Sequence, residues 1–118
     1  MAEVTTAGYQ DVRDYLEANW VYIELRDDAD NPVMRLDTTD ERVEWTHESE
    51  DQVLVLKVTL QGDDEDVTLP QKFEGSVIYK QAEGGDALTP VESFTIFEMA
   101  AEEDQLTVKH KLEVPQVV

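Results

Sequence analysis

"QVLVLKVTLQG", residues 52–62, decides how the rest of the chain is read. Leu54, Leu56, Val58 and Leu60 recur at every second position, with Lys57 and Thr59 between them. A period of two is the signature of a β-strand that buries one face and wets the other. No helical spacing accounts for this run, and its length suits a strand.

The same period recurs on both sides of it. "WVYIELRD" (20–27) sets Val21, Ile23 and Leu25 against Trp20, Tyr22, Glu24 and Arg26. "DADNP" (28–32) reads as a turn, and "VMRLD" (33–37) as its hairpin partner. "RVEWTHE" (42–48) carries Val43, Trp45 and His47 on one face. "SVIYKQ" (76–81), "SFTIFEMA" (93–100) and "QLTVKHKLEV" (105–114) follow, separated by "AEGGDALTP" and "AEEDQ". Seven or eight short strands with polar turns, without βαβ alternation, imply an antiparallel β-sandwich or jelly-roll-like fold. The strand order is not legible.

One segment keeps a different period. In "TTAGYQDVRDYLEANW" (5–20), Tyr9, Val12 and Tyr15 or Leu16 share a stripe, Thr5 or Thr6 can cap, and Asn19 offers a stop. A helix is expected over residues 5–18, with Arg13 and Glu17 as an i,i+4 pair. The chain thus reads as one domain, 1–118, mainly β with a short N-terminal helix.

Charge is the loudest compositional feature. Among 118 residues, 28 acids face 9 bases, for a formal net charge of −19. A small soluble domain is ordinarily comfortable at a magnitude of about 2 to 8. Self-repulsion strains a compact fold in dilute buffer, but the Debye length shrinks to ~3 Å in molar salt. The acids run from Glu3 to Glu113, and 41% of residues are hydrophobic, so an acidic disordered tail does not explain them. A halophilic source does. The same charge argues against direct binding of DNA or RNA, which needs clustered Lys or Arg.

Site chemistry is sparse. With no cysteine, thiolate catalysis and Cys-ligated zinc are excluded. The first residues carry no apolar core of an export signal, and no run approaches the ~20 apolar residues of a membrane span. "RDDADNP" and "GDDEDV" make Asp27, Asp28, Asp30, Asp63, Asp64 and Asp66 weak calcium candidates, without the EF-hand pattern. Loosely held cations are the expectation there, and no cofactor. His110 alternates with Leu106, Val108, Leu112 and Val114 and is expected to be a packed or edge residue; His47 is expected at an exposed strand end. Ser49, Ser76 and Ser93 lack a G-x-S-x-G elbow, so no catalytic residue is assigned and no enzyme is expected.

Aromatic and apolar residues outside the inward faces point to contacts with other subunits. Tyr9 and Tyr15 on the helix, Trp20 after it, and Val114, Val117 and Val118 in the apolar tail are the expected interface residues. "FTIFEM" is apolar on both faces, with Phe94 and Ile96 opposed to Phe97 and Met99, and reads as a central or partner-covered strand.

The run from about residue 53 to 116 resembles small β-sandwich structural proteins of tailed-virus particles, of the tail or tail-fibre kind. The likeness lies in the "VIYK" strand followed by a "GG" turn, in "ESFTIFEM", and in the closing "EDQLTVKHKLEVPQ". It implies a non-enzymatic virion component of a virus infecting a halophilic archaeon, present in several copies and assembled in the host cytoplasm. Its expected partners are other virion proteins, copies of itself and a host surface, without membrane insertion. Capsid decoration, a head–tail neck role, or a free haloarchaeal domain binding a small ligand or metal are the alternatives.

Overall fold

A computed structural model describes residues 2–48 and 51–114. The helix, α1, runs Thr6–Asn19, and its N-cap is Thr5, whose hydroxyl accepts from the Gly8 N–H. Seven strands follow among the described residues: β1 (Tyr22–Arg26), β2 (Pro32–Asp37), β3 (Val43–Trp45), β4 (Val53–Gln61), β5 (Gln71–Tyr79), β6 (Glu92–Met99) and β7 (Gln105–Glu113). They form two antiparallel sheets, of order β2-β1-β5-β6 and β3-β4-β7, packed as a β-sandwich.

The core lies where the alternation placed it. Leu54, Leu56, Val58 and Leu60 of β4 are buried, and Leu106, Val108, His110 and Leu112 of β7 stand beside them. Ile23 and Leu25 of β1 and Phe73 and Ile78 of β5 face them from the other sheet. Fully burying each such side chain contributes roughly 1.5–3 kcal/mol, so this one contiguous cluster supplies most of the driving force.

The helix is fastened by apolar and polar contacts. Leu16 enters the core, Trp45 Nε1 donates to the Glu17 carbonyl at 3.0 Å, and His47 Nε2 lies 3.3 Å from a Glu17 carboxylate oxygen. Glu17 therefore pairs with His47, not with Arg13 as helical spacing suggested. Gly62 marks a close backbone approach: a Cβ there would lie 2.0 Å from the Ala101 carbonyl oxygen. It holds the 61–66 turn against the 100–104 turn, through its own N–H to Asp104 O.

Four expectations are corrected. Trp20 does not open β1; it caps α1, its N–H donating to Leu16 O at 2.7 Å, and its ring packs toward the core. β5 starts at Gln71, hidden in sequence by its polar residues Gln71, Lys72 and Glu74. Of the two readings of "FTIFEM", the central one is set aside, since β6 is an edge strand. Its doubly apolar look arises from a register break: Phe97 faces Phe73 while Ser93 faces Gly75, leaving Phe94, Thr95 and Ile96 opposite the single residue Glu74. His47 is not exposed at a strand end: its side chain is buried beneath α1, with Nδ1 accepting from the Val55 N–H at 3.2 Å.

Candidate interaction site

The two acidic loops that the sequence singles out hold no shared ion-binding arrangement of carboxylates among the described residues. Asp64 and Asp66 do not turn toward a shared ion; they close on Arg42, which arrives from the start of β3. Arg42 meets Asp66 through two 2.8 Å bonds, Asp40 through Nε at 2.9 Å and Nη2 at 2.8 Å, and Asp64 at 3.2 Å. A bidentate fork between guanidinium and carboxylate is the strong form of this pair. The Arg42 bonds hold Asp66 below the ordinary carboxylate pKa and pull Asp40 down to about 2. Asp63 and Glu65 take no part in the clamp and stay exposed.

The other loop is likewise committed. Asp27 accepts from the Ala29 and Asn31 N–H groups, Asp30 pairs with Arg26 at 3.1 Å, and Asp28 stands 4.0 Å from Lys72. Among the described residues no group of three or more His, Asp or Glu side chains is placed to hold a metal ion.

On the outer face of the four-stranded sheet, Glu24 is buried between two arginines. Arg26 Nε and Arg35 Nη2 each lie 2.7 Å from its carboxylate. Arg35 also stacks over Tyr79, 3.5 Å from the ring centre, and donates to the carbonyls of Gln81 and Gly84. Tyr79 OH accepts from Arg26 at 2.7 Å. Every charge here has its counterpart, so the cluster is a fastener for the 81–84 loop. Sequence reasoning missed it because Glu24 and Arg26 looked like ordinary outward residues; the only signal was Glu24 falling opposite Arg35 across the β1–β2 hairpin, two residues from Arg26.

His110 is the one buried ionisable group that resembles chemistry. Ser76 Oγ lies 2.7 Å from its Nδ1, Thr89 Oγ1 lies 3.2 Å from Nε2, and a Glu92 carboxylate oxygen is 3.5 Å from Nδ1. Serine and carboxylate thus sit on the same ring nitrogen, whereas a nucleophile relay needs them on opposite ones. Ser76 is 1% exposed, out of reach of a substrate. With a hydroxyl on each nitrogen, one donor and one acceptor are satisfied in either tautomer. Burial lowers the His110 pKa, opposed by Glu92, and keeps the ring neutral.

In front of His110 an apolar cleft of about 570 Å³ opens between the end of α1, the 88–92 segment and the end of β7. Leu16, Trp20, Pro90, Val91, Leu112 and Val114 line it. Trp20 and Val114, 94 positions apart in sequence, meet there. Tyr15 lies apart, 49% exposed, its hydroxyl taking a 2.7 Å bond from Lys80 Nζ. Tyr9 is half-buried on the helix. Val117 and Val118 lie outside the described residues.

A second groove, of about 360 Å³, follows the open side of the sandwich between β6 and β7. Phe94, Phe97, Leu106 and Val108 form its apolar floor. Neither strand has a hydrogen-bonded neighbour on that side.

The fold and these two openings define a class: an antiparallel β-sandwich with an N-terminal helix, sealed polar interior and apolar clefts at one edge. Comparison with protein families, curated proteins and solved structures yields no match to this chain. Among the described residues no helix is long and apolar enough to cross a membrane.

Proposed function

We propose that the chain is a non-enzymatic structural subunit that works in several copies in a salt-rich medium, as a tail, baseplate or fibre-associated component of a tailed virus of a halophilic archaeon. The observation that carries the multi-copy reading is the apolar cleft joining Trp20 to Val114. A surface carrying this much negative charge, yet leaving such a cleft open, has apolar area to cover. Val12 and Tyr15 of α1, outside the cleft, add exposed apolar area, each more than two-fifths exposed. The viral station is supported by the likeness of residues 53–116 and by the acid load, and capsid decoration or a neck position fits the same features.

Arg26, Arg35, Arg42, Lys57 and Lys72 are each drawn into pairs with acids. The large excess of acids is left to water and cations.

Sedimentation velocity in about 2 M KCl, where the Debye length is below ~3 Å, tests this reading. Discrete oligomers are expected, and a Trp20→Ala, Val114→Asp double variant is expected to shift them toward monomer. A monomer at every concentration, with the fold intact, overturns it. A second reading draws on the same cleft, whose apolar walls and size suit a small ligand. A monomer whose melting temperature rises with a fluorescent apolar probe such as anilinonaphthalene sulfonate would favour that reading instead.

A further inference from the structure

Of the nine bases in the chain, Lys109 and Lys111 alone are neighbours on one strand, and neither takes part in an ion pair among the described residues. Both lie on β7. Their side chains are exposed on the outer face of the three-stranded sheet, and Lys109 stands directly opposite Lys57 of β4. Like charges placed opposite one another in a sheet cost stability; Glu44 meets Lys57 at 3.2 Å, which leaves Lys109 and Lys111 open to a counter-charge from outside.

The backbone of β7 points to where that counter-charge would sit. Residues of an antiparallel strand alternately direct both N–H and C=O toward and away from their partner. Val55, opposite Lys111, sends its N–H to His47 and receives the Thr46 N–H on its carbonyl, both on the β3 side. Thr59, opposite Thr107, donates to Arg42 O on that same side. The pairs 55–111, 57–109 and 59–107 are therefore the non-hydrogen-bonded ones. The N–H groups of Thr107, Lys109 and Lys111 face the open edge beside the β6–β7 groove. One of the three is already satisfied, and by a carboxylate: Glu92 takes the Lys111 N–H at 3.0 Å.

We infer that the β7 edge receives further carboxylates, supplied by the acidic surface of a second copy of this chain at the N–H groups of Thr107 and Lys109 and at the Lys109 and Lys111 ammonium groups. The inference deepens the multi-copy role proposed above and rests on it. Charge complementarity selects the occupant. At −19 per chain, two copies repel wherever acid meets acid, and the lysine-bearing edge is where they attract. Lysine on a strand edge guards against a bare apolar strand, and it leaves an acidic segment as the fitting partner.

The same sheet carries the complementary surface. At its β3 side lies a hollow of about 560 Å³ whose two bases, Arg42 and Lys57, are already paired with Asp64 and Glu44, and whose remaining exposed acids are Glu41, Asp63 and Glu65. Asp63 and Glu65, unused by the Arg42 clamp, are carboxylates available to a neighbour. A two-fold contact of β7 with its own counterpart would set Lys109 against Lys109. The contact is therefore head-to-tail, and such contacts close into rings or run on as filaments.

Charge exchange tests this. Two variants of the full chain are compared with the parent, K109E/K111E and D63K/E65K, at the lowest salt that keeps each folded by circular dichroism. Each alone is expected to lose assembly by at least about tenfold in affinity, because one face now repels its mate. Mixed one to one, they are expected to reassemble, since each supplies the face complementary to the other. Amide exchange should slow at Thr107 and Lys109 in the assembled parent. Unchanged assembly of either folded variant overturns this contact while leaving the multi-copy role standing. A parent that never assembles overturns both.

Discussion

Arg42 and Asp66, 24 positions apart, face each other fork to fork, with both guanidinium nitrogens at 2.8 Å from the two carboxylate oxygens. That pair explains half of the acidic run at 63–66. Asp64 and Asp66 tie their loop to β3, and Asp64 also accepts the Gln61 N–H at 3.0 Å. Replacing Arg42 by Ala should free the loop and leave three acids to repel one another. A loss of about 1–3 kcal/mol is expected from the hydrogen bonds to charged groups alone, read by urea unfolding. The loss should shrink as salt rises, because the released acids are then screened. A salt-independent effect would contradict the clamp. Asp40 gives the pH signature. Its pKa is pulled from 3.8 to about 2 by Arg42, so its contribution is full above the unfolded value and fades as pH falls from 3.8 through about 2. R42A should lose that part of the acid limb.

The buried His110 supplies a second pH dependence, at higher pH. Burial lowers its pKa below the ordinary 6.5. The unfolded chain therefore takes up a proton first as pH drops, and stability declines from about 6.5 down to the folded value, below which this loss is complete. Melting temperatures recorded between pH 8 and pH 5 should fall, and H110L should flatten the curve even though it lowers the plateau. An identical slope in the variant would remove His110 from the account. The lower plateau is expected because Ser76 and Thr89 lose their ring partner, at about 1–3 kcal/mol for an unsatisfied buried polar group.

Glu24 makes a sharper prediction. It is 5% exposed and holds two arginines. Glu24→Ala leaves Arg35 without an acid and Arg26 with only the exposed Asp30. Breaking a buried pair from one side costs about 3–5 kcal/mol, and hydrogen exchange should quicken in the 81–85 loop that Arg35 anchors. Arg35→Lys is expected to fail as a replacement, because a single ammonium cannot serve Glu24, two carbonyls and the Tyr79 ring together. A drop below 1 kcal/mol in E24A would mean that the network is wetter than its geometry shows.

Arg13 is the reverse case. It is 3% exposed, its Nη2 donates to Gln10 at 3.0 Å, and its Nε and Nη1 have no hydrogen-bond partner among the described residues. An unmet buried guanidinium costs stability. Arg13→Met keeps the stem's volume and discards the charge, so the melting temperature should hold or rise. A loss of more than about 2 kcal/mol, large for a point substitution, would show that the guanidinium has a stabilising partner.

Legibility followed the range of each interaction. The strict alternation of β4 and β7 announced the core directly, since burial on one face of a strand repeats every second residue. The helix ends were readable to within a residue, because capping is decided within a turn of chain: of Thr5 and Thr6 the structure takes Thr5 as cap, and the helix runs through Asn19, one residue past the expected 18. Trp20 was misplaced as a strand residue because the helix ends one residue before it, and its hydropathy fits either element. The Asp64 and Asp66 pairing with Arg42 was invisible, since the arginine lies more than twenty residues upstream and arrives only when β3 docks on β4. β5 lost its first half to polar composition, although the pairing with β6 makes it a strand.

What the sequence determined by itself is the β-sandwich class, the leading helix, the inward faces and the negative shell, because periodicity, local capping and net charge are properties of chain neighbours or of the whole composition. The tertiary structure alone decided which strands form edges, that Trp20 and Val114 share a cleft, that His47 is buried, and which acids are spent on arginine. Those outcomes depend on contacts between residues far apart in the chain, and hydropathy carries no record of strand order.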